Sequence, residues 1–319
     1  MHGVSIGHYS DFKGITGCTV FLFKDGASCS ASITGGAAGT KEFSPLSPSH
    51  IVEKINAICI AGGSAYGLDA SSGVMRYLEE KKKGFPAGKS LVPIVPSAIL
   101  FDLHVGDQSA RPDAEAGYIA CRNANEGEAQ TGSIGAGTGA TVGKLFGISR
   151  AMKGGVGFSR KKICGDVNVE TYVFVNAFGD VLASDRRAIL AGCLDKNKKG
   201  FVRTSDIMLK KDIGTGFTSN TTIAVILTDA HLNKVECRIV SSLAHNGMAR
   251  AIDPVGTVYD GDVIFTASVG EKKVDVNVAG IAAAEVLEDA IRDAVIKSKS
   301  LGGVSAACDI EWNKTNLNL

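Results

Sequence analysis

Two segments of this 319-residue chain set chemically competent side chains against apolar runs. In TSNTTIAVILTD a polar run turns abruptly into the apolar stretch Thr222–Leu227, which leaves Asn220 and Thr221 at the head of a predicted strand. In DGDVIF, Asp260 and Asp262 precede a second apolar strand, and period-two alternation puts both carboxylates on one face. A hydroxyl attacks a carbonyl only when a base takes its proton, and a carboxylate pair is one way to hold that proton. Taken alone, the first segment reads as an ordinary strand start, and the second reads equally as a hairpin turn.

Other candidates fail on spacing. The glycine-dense run GSIGAGTGATVGK, Gly132–Lys144, invites comparison with a phosphate-binding loop, but the first required glycine falls on Thr138, and Leu145 follows Lys144 where Ser or Thr is needed. The GxGxxG-type matches around Gly135 follow no strong strand and meet no acidic residue at the right distance, so they do not indicate a dinucleotide. Gly62-Gly63-Ser64-Ala65 nearly forms a nucleophile elbow, but Tyr66 stands where its last glycine belongs. None of the six histidines has base or ligand spacing, and the eight cysteines form no C-x-x-C and no zinc cluster. They read as reduced, buried thiols of a cytoplasmic protein that binds no metal.

The elements that must carry these residues alternate between strand-like and helix-like along the chain, without a linker or repeat. Thr16–Phe23 reads as a strand, with Lys24-Asp25-Gly26 as a turn into a second strand, Cys29–Ile33. A helix is predicted from Ser47 to about Asn56, with Pro48 at its first position. Further helices are predicted over Ser64–Lys83, Asp113–Asn125, about His231–Arg250 and about Val278–Lys297. Short strands are expected at Ile58–Ala61, Thr222–Leu227 and Val263–Ala267, and an extended segment at Val92–Phe101. Thr171–Asn176 and Asp180–Ala183 look like a hairpin around Phe178-Gly179, and Asp195–Lys211 like a surface excursion. Strict βαβ alternation is absent, so sheets packed on each other with helices outside fit better than one parallel sheet.

Composition narrows the class. Apolar residues make up 45% and charged residues 21%, as in soluble globular chains, and 34 basic against 33 acidic residues leave no footprint for nucleic acid or an anionic membrane. The N-terminus MHGVSIGHYSD has neither the basic nor the apolar region of a signal peptide, and no apolar run approaches the ~20 residues that span a bilayer.

GHYSD with TGCTV, GGAAGT, AGGSAYGLDASSGVMRYLEE, VPIVPSAILFDL, RPDAEAGYIAC, GSIGAGTGATVGKL, VNAFGD, NTTIAVILTDA and DGDVIF occur in that order. In these motifs nearly the whole chain resembles the DmpA-type aminopeptidases, a family that includes β-peptidyl aminopeptidases and nylon-oligomer hydrolases. The resemblance implies a four-layer α/β/β/α sandwich similar to N-terminal-nucleophile hydrolases and ornithine acetyltransferases, made as one domain over residues 1–319. It implies one internal cut between Asn220 and Thr221, giving fragments 1–220 and 221–319, with Thr221 as nucleophile. The freed α-amine of Thr221, whose reference pKa is about 7.7–8.0, would serve as base. Asp260 and Asp262 match the family's acidic pair, and Lys144 matches a lysine of the nylon-oligomer branch that favours a neutral amine and stabilises negative charge. Asn176 matches an asparagine whose amide donates to an oxyanion.

Phe101, in ILFD, and Ser64 are the expected pocket residues. Phe101 stands where nylon-oligomer hydrolases carry a tyrosine, which removes a phenolic hydroxyl and counts against that particular activity. Ala38 replaces a proline found in many members. The implied substrate is a short peptide or related amide, with no cofactor, and the implied assembly is a homo-oligomer, a dimer or tetramer. Acyl transfer of the ornithine acetyltransferase type and an uncleaved, non-catalytic member remain the alternatives.

Overall fold

The computed structural model of the chain describes residues 1–210 and 220–313. The end of the predicted excursion at Lys211, the polar approach to Asn220 and the last residues of the tail lie outside the described residues.

One long strand builds both sheets. We label the principal elements β1 (Val4–Asp11), β2 (Thr16–Gly35), β3 (Ile55–Ala61), α1 (Ala70–Glu80), β4 (Ser97–Ile99), α2 (Ala114–Arg122), β5 (Gly155–Lys162), β6 (Asn168–Asn176), β7 (Thr221–Ala230), α3 (Lys234–Ala251), β8 (Gly261–Lys272) and α4 (Val276–Lys297). The first half of β2 pairs antiparallel with β1 and β3, and β3 runs parallel to β4. The second half of β2 pairs antiparallel with β8, which runs parallel to β7, and β6 and β5 follow antiparallel. The predicted turn at Lys24-Asp25-Gly26 is therefore a bulge inside one strand. The register shifts between Leu22 and Ala27, Gly26 takes φ +74°, and the strand bends from one sheet into the other instead of folding back.

Alternation then sorts side chains into layers. Cys18 and Val20 of β2 with Ala57 and Cys59 of β3 face α1 and α2 through Val74, Leu78 and Ala120. Phe21, Ile58, Ile60, Phe174, Ile223, Val225 and Phe265 fill the space between the sheets. Val173, Val175, Ala224, Ile226 and Ile264 face α3 and α4 through Val240, Ala244, Leu287 and Ile291. The order is helix, sheet, sheet, helix, the four-layer arrangement expected. Caps fix where the helices start: Asn233 and Glu236 form a reciprocal capping box on α3, and Asp113 accepts the Ala116 amide at α2.

Phe174 is wholly buried and edge-on to Phe21 at 6.3 Å across the two sheets. Phe174→Ala is expected to destabilise the fold by about 3–5 kcal/mol, read as a lower urea midpoint at unchanged slope.

Three further expectations are corrected. No helix covers Ser47–Asn56; a 3-10 turn, Ser44–Leu46, ends at Ser47 in an extended conformation (ψ 136°). Ser47 precedes Pro48, which disfavours the α region, and the apolar residues of this stretch do not share one face, since Val52 and Ile55 are buried while Ile51 is 76% exposed. The helix predicted from Ser64 begins as a 3-10 segment, Ser64–Asp69, and becomes α only at Ala70, because Ser64 has φ +55° and cannot start an α turn. Asn176 and Asp180 do not belong to one hairpin either. Asp180–Leu182 pairs with Ile189–Ala191 and Ile252–Asp253, while β6 pairs with β5 and β7. Phe178 and Gly179 are buried contact residues: the Phe178 carbonyl accepts the Lys144 amide and the Gly179 carbonyl accepts the Gly143 amide. A turn-type dipeptide is recruited there by packing and not by hairpin closure.

Candidate active site

The inter-sheet rows of β6 and β7 end together. Phe174 stands opposite Ile223 and, one step along the same row, Asn176 stands opposite Thr221. Both lie at the rim of the inter-sheet layer, with Thr221 1% exposed. Backbone contacts clamp the peptide before Thr221: the Asn220 amide donates to the Tyr259 carbonyl at 3.0 Å. The Asn220 carbonyl oxygen receives two donors, the Gly261 amide at 2.7 Å and the Thr221 hydroxyl at 2.6 Å. Two donors on one carbonyl oxygen polarise it, as an oxyanion hole does.

The two aspartates grip the chain around this peptide. Asp262 Oδ1 accepts the Thr222 amide at 2.6 Å and its Oδ2 the Gly256 amide at 3.1 Å. Asp260 is bridged to Asn220 in parallel register; its Oδ2 accepts the Thr257 hydroxyl at 2.7 Å, and its Oδ1 the Phe178 amide at 3.4 Å. The carboxylates thus hold backbone beside Thr221, whereas its hydroxyl is turned to the Asn220 carbonyl. Burial raises the pKa of both, and for Asp262 the nearby Asp260 charge raises it further.

The glycine-rich run, Gly132–Lys144, brings the cation. Gly143 takes φ +69° and a Cβ there would fall 2.1 Å from the Cys193 amide, so only glycine lets the run pass. Lys144 is buried, and its Nζ donates to both the carbonyl oxygen and Oδ1 of Asn176, each at 2.9 Å. The Thr141 amide adds a second donor to Oδ1 at 3.0 Å, and Asn176 Nδ2 donates to the Phe101 carbonyl at 3.0 Å. Donors on one side and a carbonyl on the other leave a single orientation for the Asn176 amide. Burial lowers Lys144 to a pKa of about 7, against the pull of Asp260, Asp102 and Asp262.

Beside Lys144 opens a cavity of about 310 Å³ lined by Phe101, Asp102, His104, Val105, Thr141, Gly147 and Ile148. Phe101 is on its wall as expected. Ser64 stands outside it, its amide bound to the Leu100 carbonyl at 2.9 Å. The structure therefore gathers Asn220, Thr221, Asn176, Lys144, Asp260 and Asp262 in one place and adds groups the sequence did not single out. The Gly261 amide and Thr141 act through backbone, which no motif reports. Asp102 had a legible signal, a carboxylate closing the apolar run SAILF, and it is buried. Among the described residues no helix is long and apolar enough to cross a membrane.

Residues 1–308 match the family model described as Peptidase family S58. An uncharacterized aminopeptidase of Mycobacterium leprae is 35% identical over 343 residues, covering 96% of this chain and 91% of its own. A 6-aminohexanoate-oligomer endohydrolase of a Kocuria species is 31% identical over 315 residues, covering 92% of this chain and 84% of its own. Among solved structures, the L-aminopeptidase D-Ala-esterase/amidase of Ochrobactrum anthropi, described as a variant of the Ntn hydrolase fold, superposes with a TM-score of 0.73 at 17% identity, covering 100% of this chain and 92% of that one.

Proposed function

The chain belongs to peptidase family S58 and is a hydrolase of peptide and amide bonds; from that premise we propose that it cuts its own Asn220–Thr221 bond and then works as an N-terminal threonine hydrolase. The observation that carries this reading is the doubly donated Asn220 carbonyl, with the Thr221 hydroxyl 2.6 Å from its oxygen. Rotation about the Thr221 Cα–Cβ bond takes Oγ1 from the carbonyl oxygen to the carbonyl carbon. Attack there forms a C–O bond and breaks the C–N bond, and the hydroxyl proton ends on the departing nitrogen. The result is an Asn220 ester of Thr221 with a free α-amine. Water then hydrolyses the ester, restoring the hydroxyl and leaving Asn220 with a carboxylate. The Gly261 amide holds the oxyanion in this first reaction, while Asp262 and Asp260 keep the flanking backbone from following the shift.

In turnover the freed amine takes the Thr221 proton and passes it to the leaving amine, and an acyl-enzyme on Thr221 is released by water. The second hydrogen of Asn176 Nδ2 donates to the substrate oxyanion, with the amide held in that orientation by Lys144 and Thr141. The Lys144 ammonium disfavours a proton on the Thr221 amine and offsets charge developing beside it. The mixed apolar and polar wall of the adjoining cavity fits a short peptide or amide.

Lys144 gives the reading a pH signature. Its pKa of about 7 means that the ammonium form declines above neutrality. We expect kcat/KM to fall about tenfold per pH unit on the alkaline side, and Lys144→Met to erase that limb. Rates of an amino-acid p-nitroanilide assay between pH 6 and 9 check it; a flat profile over that range removes the ammonium from the mechanism. The direct test of processing is the denatured intact mass with N-terminal sequencing. Fragments 1–220 and 221–319, the second beginning Thr-Thr-Ile-Ala, are expected; one full-length species that persists on long incubation overturns the self-cleavage.

A further inference from the structure

Beside the groups gathered around Thr221 lies a second pair of buried charges that the reaction above does not use. Lys153 is 0% exposed and sits in a short hairpin, Met152–Lys153 against Thr141–Val142, directly opposite Thr141. Its Nζ donates to the Thr138 carbonyl at 2.7 Å, in the middle of the glycine-rich run, and its amide donates to the Ser305 carbonyl at 2.9 Å. On the far side of that run, Asp102 accepts the Thr16 hydroxyl and the Gly63 amide, each at 2.7 Å. A Cβ on Gly139 would fall 2.6 Å from the Asp102 side chain, so the run packs directly against this carboxylate. The stretch that carries Thr141 and Lys144 to Asn176 is thus held at Thr138 by an ammonium and packed at Gly139 against a carboxylate.

An isolated buried ammonium is costly to desolvate. Lys153 has one carbonyl ligand and the field of Asp102 to offset that cost, and burial holds it at a pKa of about 7. The charged groups facing Lys144 are Asp260 and Asp262 from the start of β8, Asp102 after β4, and Lys153 from the hairpin. Facing Lys153 is Asp102. Asp102 favours the charged form of Lys144 and Lys153 disfavours it.

We propose that Lys153 and Asp102 are positioning residues, which lock the glycine-rich run onto Asn176 and, through their opposed charges, set how firmly Lys144 keeps its proton. The consequence for catalysis rests on the role given to Lys144 above; the titration that tests the proposal does not.

The test is a carbon-13 NMR titration of full-length protein labelled at lysine Cε, with the Lys144 and Lys153 signals assigned by loss in Lys144→Met and Lys153→Met. Two lysines are expected to titrate near 7, apart from surface lysines near ~10.4. Removing a like charge, Lys153→Met should move the Lys144 midpoint up by about one pH unit, a tenfold change in protonation at fixed pH. Lys153→Arg keeps the charge and should leave that midpoint in place. Removing an opposite charge, Asp102→Asn should move it down. In turnover, Lys153→Met should lower kcat about tenfold with KM little changed, and Lys153→Arg should restore most of it. A Lys144 midpoint unmoved in both Lys153→Met and Asp102→Asn overturns the proposal, as does an ordinary midpoint near ~10.4 in the wild type. If Lys153→Met does not fold, the direction of the Asp102→Asn shift decides alone. A failure of the functional reading shows separately, as a Lys144→Met protein that processes and turns over at the wild-type rate.

Discussion

Thr221→Ala is expected to leave the chain at full length indefinitely and to reduce amide hydrolysis to the uncatalysed background. The substitution removes the hydroxyl proposed to attack the Asn220 carbonyl carbon and to serve afterwards as the nucleophile of turnover, so on that reading both activities vanish together. Folding should survive, because the residue is a strand terminus whose backbone partners do not involve the side chain: Thr221 pairs with Asn176, and the Gly261 amide reaches the Asn220 carbonyl. The Thr221→Ser variant keeps a hydroxyl in the same place, primary instead of secondary, and should process. Intact mass after prolonged incubation, with circular dichroism to show that the alanine variant is folded, makes the measurement. A processed and active Thr221→Ala protein removes Thr221 from the mechanism altogether.

The second large effect falls on Asn176. Its side chain joins three things: the end of β6 opposite Thr221, the ammonium of Lys144, and the cavity wall at Phe101. Asn176→Ala removes the proposed oxyanion donor, a loss of about 10²–10³ in kcat where such donors have been deleted. Among the described residues it also leaves Lys144 with only the residue-176 carbonyl as hydrogen-bond partner in a buried site, so its proton should be held less firmly and the alkaline limb should move to lower pH. Self-cleavage should be slowed much less, because the Gly261 amide, not Asn176, holds the Asn220 carbonyl oxygen. Separate rates for processing and for turnover of the processed enzyme expose the difference. Equal losses in both mean that Asn176 acts on the nucleophile and not on the substrate oxyanion.

The contrast between the two reactions follows from where each carbonyl lies. In processing, the Asn220 carbonyl is part of the chain and is fixed by the β7–β8 ladder. In the proposed turnover, a substrate carbonyl comes from the cavity side, where Asn176 and Lys144 stand. On the proposed mechanism, one nucleophile therefore uses two sets of oxyanion donors.

Much of this was readable from residues in order. Strand and helix periods located β6, β7, β8, α3 and α4 within a few residues, because each buries one face or stripe and the pattern repeats locally. The family motifs pointed to Thr221, Asn176, Lys144, Asp260 and Asp262, and these do converge. Where local rules failed, long-range packing had overridden them. Lys24-Asp25-Gly26 carries turn residues, yet the strand continues because each half of β2 has its own sheet to join. Phe178-Gly179 carries a turn dipeptide, yet both residues are buried against Lys144 and Gly143.

By itself the sequence determined the layer type, the head of the strand on which Thr221 sits and the family. These depend on side-chain periodicity and on ordered motifs, both of which are properties of the chain read in one dimension. Only the tertiary structure decided that Asp260 and Asp262 hold backbone and leave the Thr221 hydroxyl to the Asn220 carbonyl. It alone decided that Lys144 is buried against Asn176, and that Lys153 and Asp102, 51 positions apart in the chain, hold the same glycine-rich run. Burial and proximity across β2, β6 and β8 are set by how sheets close on one another, and it is burial and proximity that fix protonation and hydrogen-bond choice.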